Sequence, residues 1–297
     1  LEFEVVTSEK VVKVQGTHED VQNRPDNRNI PINKVGICDL KMPLVLRGCE
    51  KDEKSTQHVQ AVLALSVDLD ESKKGIHMSR LVETVLDHNS EFSLNTINTF
   101  LDDLCTRQVA RNAYVKIDFD YFFSKVAPVT GLSAPQAYSC SYEVTYGEYG
   151  YVIKQSVEVP VKTLCPCSKE ISDYGAHNQR SKIWITLVHK LEFDRKIGIS
   201  LEDIVEIAEN GASSPLYPIL KREDERHVTM SAYDKPCFVE DVVRNIATEL
   251  NNDNRISSYE IKVVNYESIH NHNAFAVIKG GEKEDISNYL NLLDIVL

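Results

Sequence analysis

The run AYSCSYEVTYGEYGYVIKQSVEVPVK, residues 137–162, decides the fold. On its far side Ile153, Gln155, Val157, Val159 and Val161 alternate with Lys154, Ser156, Glu158, Pro160 and Lys162, the period of a half-buried strand. On its near side AYSCSYEVTY (137–146) reads as the partner of a strand in which Val115, Ile117, Phe119, Tyr121 and Phe123 point one way. Lys116, Asp118 and Asp120 point the other way. Between them YGEYG (146–150) marks the join between the two halves of the chain.

Working outward, each half shows one order of elements. In the first, 35–48 and 57–69 predict a strand pair, with Val59, Ala61, Leu63, Leu65, Val67 and Leu69 on one face. Helical spacing follows in Met78, Leu81, Val82, Val85 and Leu86. A second stripe comprises Leu94, Ile97, Phe100, Leu101 and Leu104, with Ser93 as its expected N-cap. In the second half KIWITLVHKLEF supplies another strand. SLED opens a helix by capping-box spacing of Ser200 and Asp203 that stops near Gly211. KPCFVEDVVRNIATEL is a second helix with Pro236 near its start and Val239, Val242, Val243, Ile246 and Leu250 on one face. SSYEIKVVNYE and NAFAVIKG close the half as strands.

The expectation is therefore an α+β protein of two tandem copies, each a four-stranded antiparallel sheet with two helices on one face. Its segments are an N-terminal extension (1–29), a first copy (30–148), a second copy (149–280) and a C-terminal tail (281–297). Tyr114, Phe122, Trp184 and Val188 lie on the second faces. Sheets of neighbouring copies and subunits are accordingly expected to join, as in a barrel that leaves no open edge.

Composition narrows the class. The 297 residues are 42% hydrophobic and 26% charged, ordinary values for a globular chain. Apolar runs fall well short of the roughly 18 residues needed to cross a bilayer, and the N-terminus lacks the features of a signal peptide. A net charge of −12 argues against nucleic-acid binding, which demands a basic footprint. Seven scattered cysteines suit a reducing compartment, so the expected location is cytoplasmic.

Chemistry concentrates in TLCPCSKEISDYGAHNQRS (163–181), a polar, turn-prone run with Cys165, Cys167 and His177. A disulfide between cysteines two apart around Pro166 is disfavoured by geometry. A reactive nucleophile and a metal site both stay open. Cys38, Cys49, Cys105, Cys140 and Cys237 read as inert thiols. A catalytic metal site needs three protein ligands and one open position, so a Cys, a His and a distant carboxylate suffice. Glu223, Asp224 and Glu225 in LKREDERHVT are candidates, as are Glu267, His270 and His272 in NYESIHNHNAFA. The latter three also suit acid–base work near neutral pH. Glu240, early in a helix, either favours the helix dipole or accepts paired hydrogen bonds from a guanine or pterin. QNRPDNR (22–28) and GIHMSR (75–80) are read either as phosphate cradles, through Arg24, Arg28, His77 and Arg80, or as plain surface.

The segments DVQNRPDNRNIPINKVGI, KGIHMSR, LCPCSKEISDYGAHNQRS, LKREDE, FVEDVVR and ESIHNHNAFA, in that order, resemble the type IB GTP cyclohydrolase family of folate synthesis from about residue 20 to 280. That resemblance implies the tunnelling fold in two copies per chain and a homotetramer with active sites at subunit interfaces. It implies hydrolysis of GTP to 7,8-dihydroneopterin triphosphate and formate, with one divalent metal ion per subunit (zinc, manganese or iron) and no organic cofactor. Carried over, the metal ligands are Cys165, His177 and Glu225, with Cys167 ranked behind Cys165. Glu240 anchors the guanine, and Glu267 and His270 assist proton transfer. His77, Arg80, Lys169, Arg180, Lys221 and Arg222 are the expected holders of the triphosphate, chosen because they neighbour the motifs. Three rivals share these residues: an iron-dependent relative giving a cyclic phosphate product, a metal-free enzyme with a nucleophilic Cys165 or Cys167, and a scaffold with a structural zinc clip.

Overall fold

A computed structural model describes residues 20–48, 51, 55–88, 92–147, 150–191 and 198–281. Strands β1 (Ile32–Arg47), β2 (Thr56–Leu69), β3 (Ala113–Val126) and β4 (Ser133–Gly147) form the first half, with helices α1 (Met78–His88) and α2 (Ile97–Gln108) between β2 and β3. The second half comprises β5 (Gly150–Leu164), α3 (Pro166–Ile171), β6 (Asn178–Leu191), α4 (Leu201–Gly211), β7 (Ser214–Pro215), α5 (Arg222–Asp234), α6 (Val239–Asn252), β8 (Ser258–Asn265) and β9 (Ala274–Gly281). All strands belong to one antiparallel sheet in the order β1-β2-β3-β4-β5-β6-β8-β9, with β7 paired to β5.

The alternation seen in the sequence becomes burial. Leu63, Leu65, Val115, Ile117, Val144, Ile153, Val159, Ile185 and Ile261 lie on one face of the sheet and are almost wholly inaccessible. Against that face pack Leu81, Leu101 and Leu104 of α1 and α2, and Ile204, Val242 and Ile246 of α4 and α6. Each such side chain contributes about 1.5–3 kcal/mol when fully buried. The other face carries Lys116, Asp118, Glu143, Lys154, Trp184 and Lys262, and among the described residues no helix covers it.

The joint between the halves is the β4–β5 pairing, from Gly147↔Gly150 to Ser139↔Glu158. Beyond Glu158 strand β5 leaves β4, and β7 takes its place through Val161↔Pro215 and Lys162↔Ser214. The divergence opens the end of the sheet at which β5 stops and β6 starts.

Three local expectations need correction. Helix α2 begins at Ile97 behind Thr96, because Ser93 closes a preceding turn instead, accepting from the Asn95 N–H through its hydroxyl and from the Thr96 N–H through its carbonyl. Pro236 lies before α6, whose first turn is closed by the Phe238 N–H donating to Asp241 Oδ2 at 2.9 Å. The polar run after Leu164 is not all loop, since α3 occupies Pro166–Ile171. By contrast Ser200 and Asp203 make the capping box in full, at 3.0 and 3.3 Å. Part of KIWITLVHKLEF, residues 192 and 193, lies outside the described residues, as do the expected tail beyond 281 and most of the N-terminal extension.

Candidate active site

Cys165 follows the last residue of β5 and caps α3. Its Sγ accepts from the Ser168 N–H at 3.4 Å, and Pro166 occupies the first helical position, where a missing N–H costs nothing. His177 precedes β6 directly across the hairpin, and the Cys165 N–H donates to the His177 carbonyl at 3.1 Å. Ser168 ties the two together. Its hydroxyl donates to the Cys165 carbonyl and accepts from the His177 N–H, both at 3.1 Å. The backbones of a half-buried cysteine and a half-buried histidine are thus locked side by side.

The His177 ring is oriented by Gln179, whose Oε1 lies 3.1 Å from Nδ1; Ser268 Oγ is a longer contact to the same nitrogen at 3.4 Å. Gln179 Nε2 donates to Thr163 Oγ1 at 2.9 Å, so the amide oxygen is the atom facing the ring. A neutral imidazole that bonds to this oxygen does so through an Nδ1–H, the tautomer that leaves Nε2 the lone pair a metal uses.

The β8–β9 loop closes over the same end of the sheet. His270 stands edge-on to His177, with ring centroids 6.5 Å apart, and stacks on His272 at 5.2 Å. Glu267 is half-buried in the same loop, and the Tyr266 N–H fastens the loop to the Arg180 carbonyl at 3.0 Å. Helix α6 arrives there too, because the Cys237 N–H donates to the Leu164 carbonyl at 3.0 Å, three residues before the exposed Glu240. Cys167 is exposed on α3.

Glu225 is placed differently. It is exposed in the first turn of α5, a turn pinned by the wholly buried Asp224. That carboxylate accepts from the N–H groups of Val129, Thr130 and Lys221 at 2.8, 2.9 and 2.9 Å, and from Thr130 Oγ1 at 2.7 Å. Burial alone would raise the Asp224 pKa, but the hydrogen bonds from Lys221, Thr130 and Val129 outweigh it and hold the carboxyl well below the usual range. Among the described residues no three His, Cys, Asp or Glu side chains gather around one point in a way that could hold an ion. The chemistry of the pair still fits a divalent ion with mixed ligands, given one half-buried thiol and one imidazole whose second nitrogen is already engaged.

Several expected phosphate holders have partners within the chain. Arg80 donates to the Arg107 carbonyl at 2.8 Å, and His77 sits 3.2 Å from Asp20 Oδ2, both near the opposite end of the sheet. Lys169 donates to the Tyr233 carbonyl at 2.5 Å and lies over the Tyr233 ring, clamping α3 to α5. Arg28 is paired with Asp26. Lys221, Arg222 and Arg180 are exposed. Lys162, which sequence reasoning passed over, stands directly opposite Arg180 across β5 and β6. Two cations in register destabilise a sheet unless an anion joins them, and burial pushes the Lys162 ammonium pKa down. Only the strand register, invisible to residue spacing, brings that pair out.

Of the thiols read as inert, Cys105, Cys140 and Cys237 are buried, and burial with nearby Asp68 and Asp102 pushes Cys105 up to about 12. Cys38 is exposed instead, and Cys49 lies outside the described residues. A cavity of about 1020 Å³ at the far end of the sheet, lined by Lys34, Asp68, Asp70, Arg111 and Tyr114, contains none of the expected site residues.

Fold and site together define an α+β protein with one antiparallel sheet and a thiol–imidazole pair where two strands turn, walled by histidines from a third connection. Residues 18–276 match the model of the family described as Type I GTP cyclohydrolase folE2, and the chain belongs to that family. It is 48% identical over 263 residues to GTP cyclohydrolase FolE2 of Thermotoga maritima, covering 89% of this chain and 97% of that protein. It is 42% identical over 264 residues to the FolE2 of Kosmotoga olearia, covering 89% and 98%. Among solved structures, uricase from Arthrobacter globiformis aligns with a TM-score of 0.51 at 5% identity, covering 85% of this chain and 94% of that one. A uricase from Bacillus fastidious aligns at 0.50 and 8%, covering 86% and 94%. These two likenesses concern the fold alone. No helix among the described residues is long and apolar enough to cross a membrane.

Proposed function

We propose that this chain converts GTP and water to 7,8-dihydroneopterin triphosphate and formate, the entry step of folate synthesis, using a divalent metal held by Cys165, His177 and Glu225. Membership of the type I GTP cyclohydrolase folE2 family makes it a GTP cyclohydrolase. The observation that carries the site is the backbone-locked Cys165–His177 pair with His177 Nδ1 turned to Gln179. The chemistry such an ion supplies when bound is acidification of a water, from a pKa of about 15.7 towards roughly 7, for addition at C8 of the purine.

The remaining work falls to side chains. Glu240 takes the guanine amino and ring N–H groups through its two carboxylate oxygens, which fixes the base against the site. His270, with Glu267 beside it, passes the proton released as water adds to C8 on to N7, and then carries the proton of the new C8 hydroxyl to N9 as the C8–N9 bond opens and the formyl group forms. The same groups serve formyl hydrolysis, sugar rearrangement and closure onto the freed amine, none of which needs a redox cofactor. Lys162 and Arg180 receive part of the triphosphate, joined by Lys221, Arg222, Lys169, His77 and Arg80 from this chain or a neighbour. The reading includes two tandem tunnelling-fold copies per chain, with the second copy (149–280) carrying most of the site. Four chains assemble as a homotetramer through intersubunit barrels. The tandem reading is supported by the order of elements: β1, β2, α1, α2, β3, β4 in the first half and β5, β6, α4, α6, β8, β9 in the second, where α3, β7 and α5 are inserted between them.

The test is an anaerobic assay of metal-stripped protein with GTP, re-metallated with zinc, manganese or iron in turn, reading formate and pterin fluorescence. No turnover without metal and recovery with at least one ion is the expected result. Full turnover in chelator would overturn metal dependence and favour a nucleophilic cysteine. A product of the mass of the cyclic phosphate would select the iron-dependent alternative.

A further inference from the structure

Four buried polar side chains lie beneath His177 in a row across three strands. Gln179 on β6 pairs in register with Thr163 on β5, and Ser181 on β6 pairs with Asn265 on β8. Gln179 Nε2 donates to Thr163 Oγ1 at 2.9 Å, Thr163 Oγ1 meets Ser181 Oγ at 2.9 Å, and Ser181 Oγ donates to Asn265 Oδ1 at 2.7 Å. Exposures of 7%, 0%, 1% and 3% for Gln179, Thr163, Ser181 and Asn265 keep bulk water away from the row.

A hydroxyl has one proton, so fixing the acceptor at one end of such a row fixes every donor behind it. With the Asn265 oxygen facing Ser181, Ser181 must donate to it. Thr163 must then donate to Ser181, and it can only accept from the Gln179 amide nitrogen. That leaves the Gln179 oxygen for His177, which must present an Nδ1–H. Reversing Asn265 would free the Ser181 proton for Thr163 and the Thr163 proton for the Gln179 oxygen, which lets the Gln179 amide nitrogen meet a lone pair on His177 Nδ1, facing protein instead of the site.

We infer that Gln179, Thr163, Ser181 and Asn265 are positioning residues that set the tautomer of His177, with Asn265 at the end of β8 fixing the direction of the whole row. The inference rests on the reading of His177 as a metal ligand. It adds that ligation is prepared before any metal arrives, by a residue on a different strand whose following loop also supplies Glu267 and His270.

The experiment records two-bond proton–nitrogen correlations of the His177 ring in zinc-free protein, and zinc affinity by competition with a chelator. Wild type should show the Nδ1–H form, and Asn265→Asp, whose carboxylate only accepts, should keep both that form and the affinity. Gln179→Leu and Ser181→Ala should lose the single tautomer and weaken zinc binding about 10–100-fold, the usual effect of removing an outer partner of a ligand. Ser181→Ala, the smaller change, decides the matter should Gln179→Leu not fold. Wild-type tautomer and affinity in Gln179→Leu or Ser181→Ala overturns the inference. His177→Ala judges the underlying reading separately: undiminished zinc affinity there removes His177 as a ligand, while the tautomer data still report on the row.

Discussion

A single imidazole far from the site makes this fold sensitive to mild acid. His189 on β6 is 4% exposed, and among the described residues its Nε2 has no hydrogen-bond partner. Desolvation by burial lowers its pKa from 6.5 to about 4. The unfolded chain therefore binds a proton at a pH where the folded chain refuses it, and stability falls as pH drops from about 6.5 to about 4. The gap corresponds to roughly 3 kcal/mol at the acid end of that window, with nothing further lost below it. Urea unfolding of wild type and His189→Leu at matched protein concentration, from pH 7 to pH 4, should show the wild type losing about that much more. Parallel curves would mean that His189 is hydrated in solution. At this scale the sequence was informative where chemistry is unusual, as for Cys165 and His177 in a polar run. Thr163, Gln179, Ser181 and Asn265 escaped because each occupies a core-facing strand position where a lone polar residue looks like a break in the pattern. Only the register shows that they meet.

Elements with an apolar stripe were legible, and those without one were not. α6 was read from Val239, Val242, Val243, Ile246 and Leu250, all of which are buried. α5 buries only Asp224 and Ala232, so no periodicity marks it. α3 has six residues and none buried. What orders α5 is long-range: Asp224 bonds to Val129 and Thr130 in the β3–β4 turn, and Lys169 clamps the other end at Tyr233. Asp224→Ala should therefore leave β5, β6 and the Cys165–His177 pair intact while loosening α5. Hydrogen exchange should rise through 222–234 and in the 127–132 turn, with a melting temperature several degrees lower. Asp224→Asn keeps one acceptor oxygen and should fall between. Because hydrogen bonds hold the Asp224 pKa low, its contribution is present at neutral pH and lost only under strongly acid conditions. Exchange rising equally over the whole chain would show instead that the anchor supports the fold as a unit.

For the whole molecule, two facts point beyond one chain. β1 and β9 end the sheet without a further strand among the described residues, and Phe275 and Val277 of β9 are exposed on its uncovered face. Open apolar edges of this kind ordinarily find a partner. Moreover α5 holds Glu225 where, among the described residues, it completes no three-ligand group with Cys165 and His177. If a neighbouring chain supplies that carboxylate, each site takes its thiol and its acid from different subunits, and closed symmetry makes every site alike. Cys165→Ser and Glu225→Gln chains should each be inactive alone. Co-expressed so that they assemble together, they should regain activity, since some sites receive a wild-type thiol from one chain and a wild-type acid from the other. Random mixing in equal amounts should restore about a quarter of the wild-type rate per site. Light scattering on the same sample should give a mass several times the 33.6 kDa of one chain. Hybrid assemblies with no regained turnover would place Glu225 and Cys165 in the same chain, and α5 would then have to swing towards α3 when metal binds.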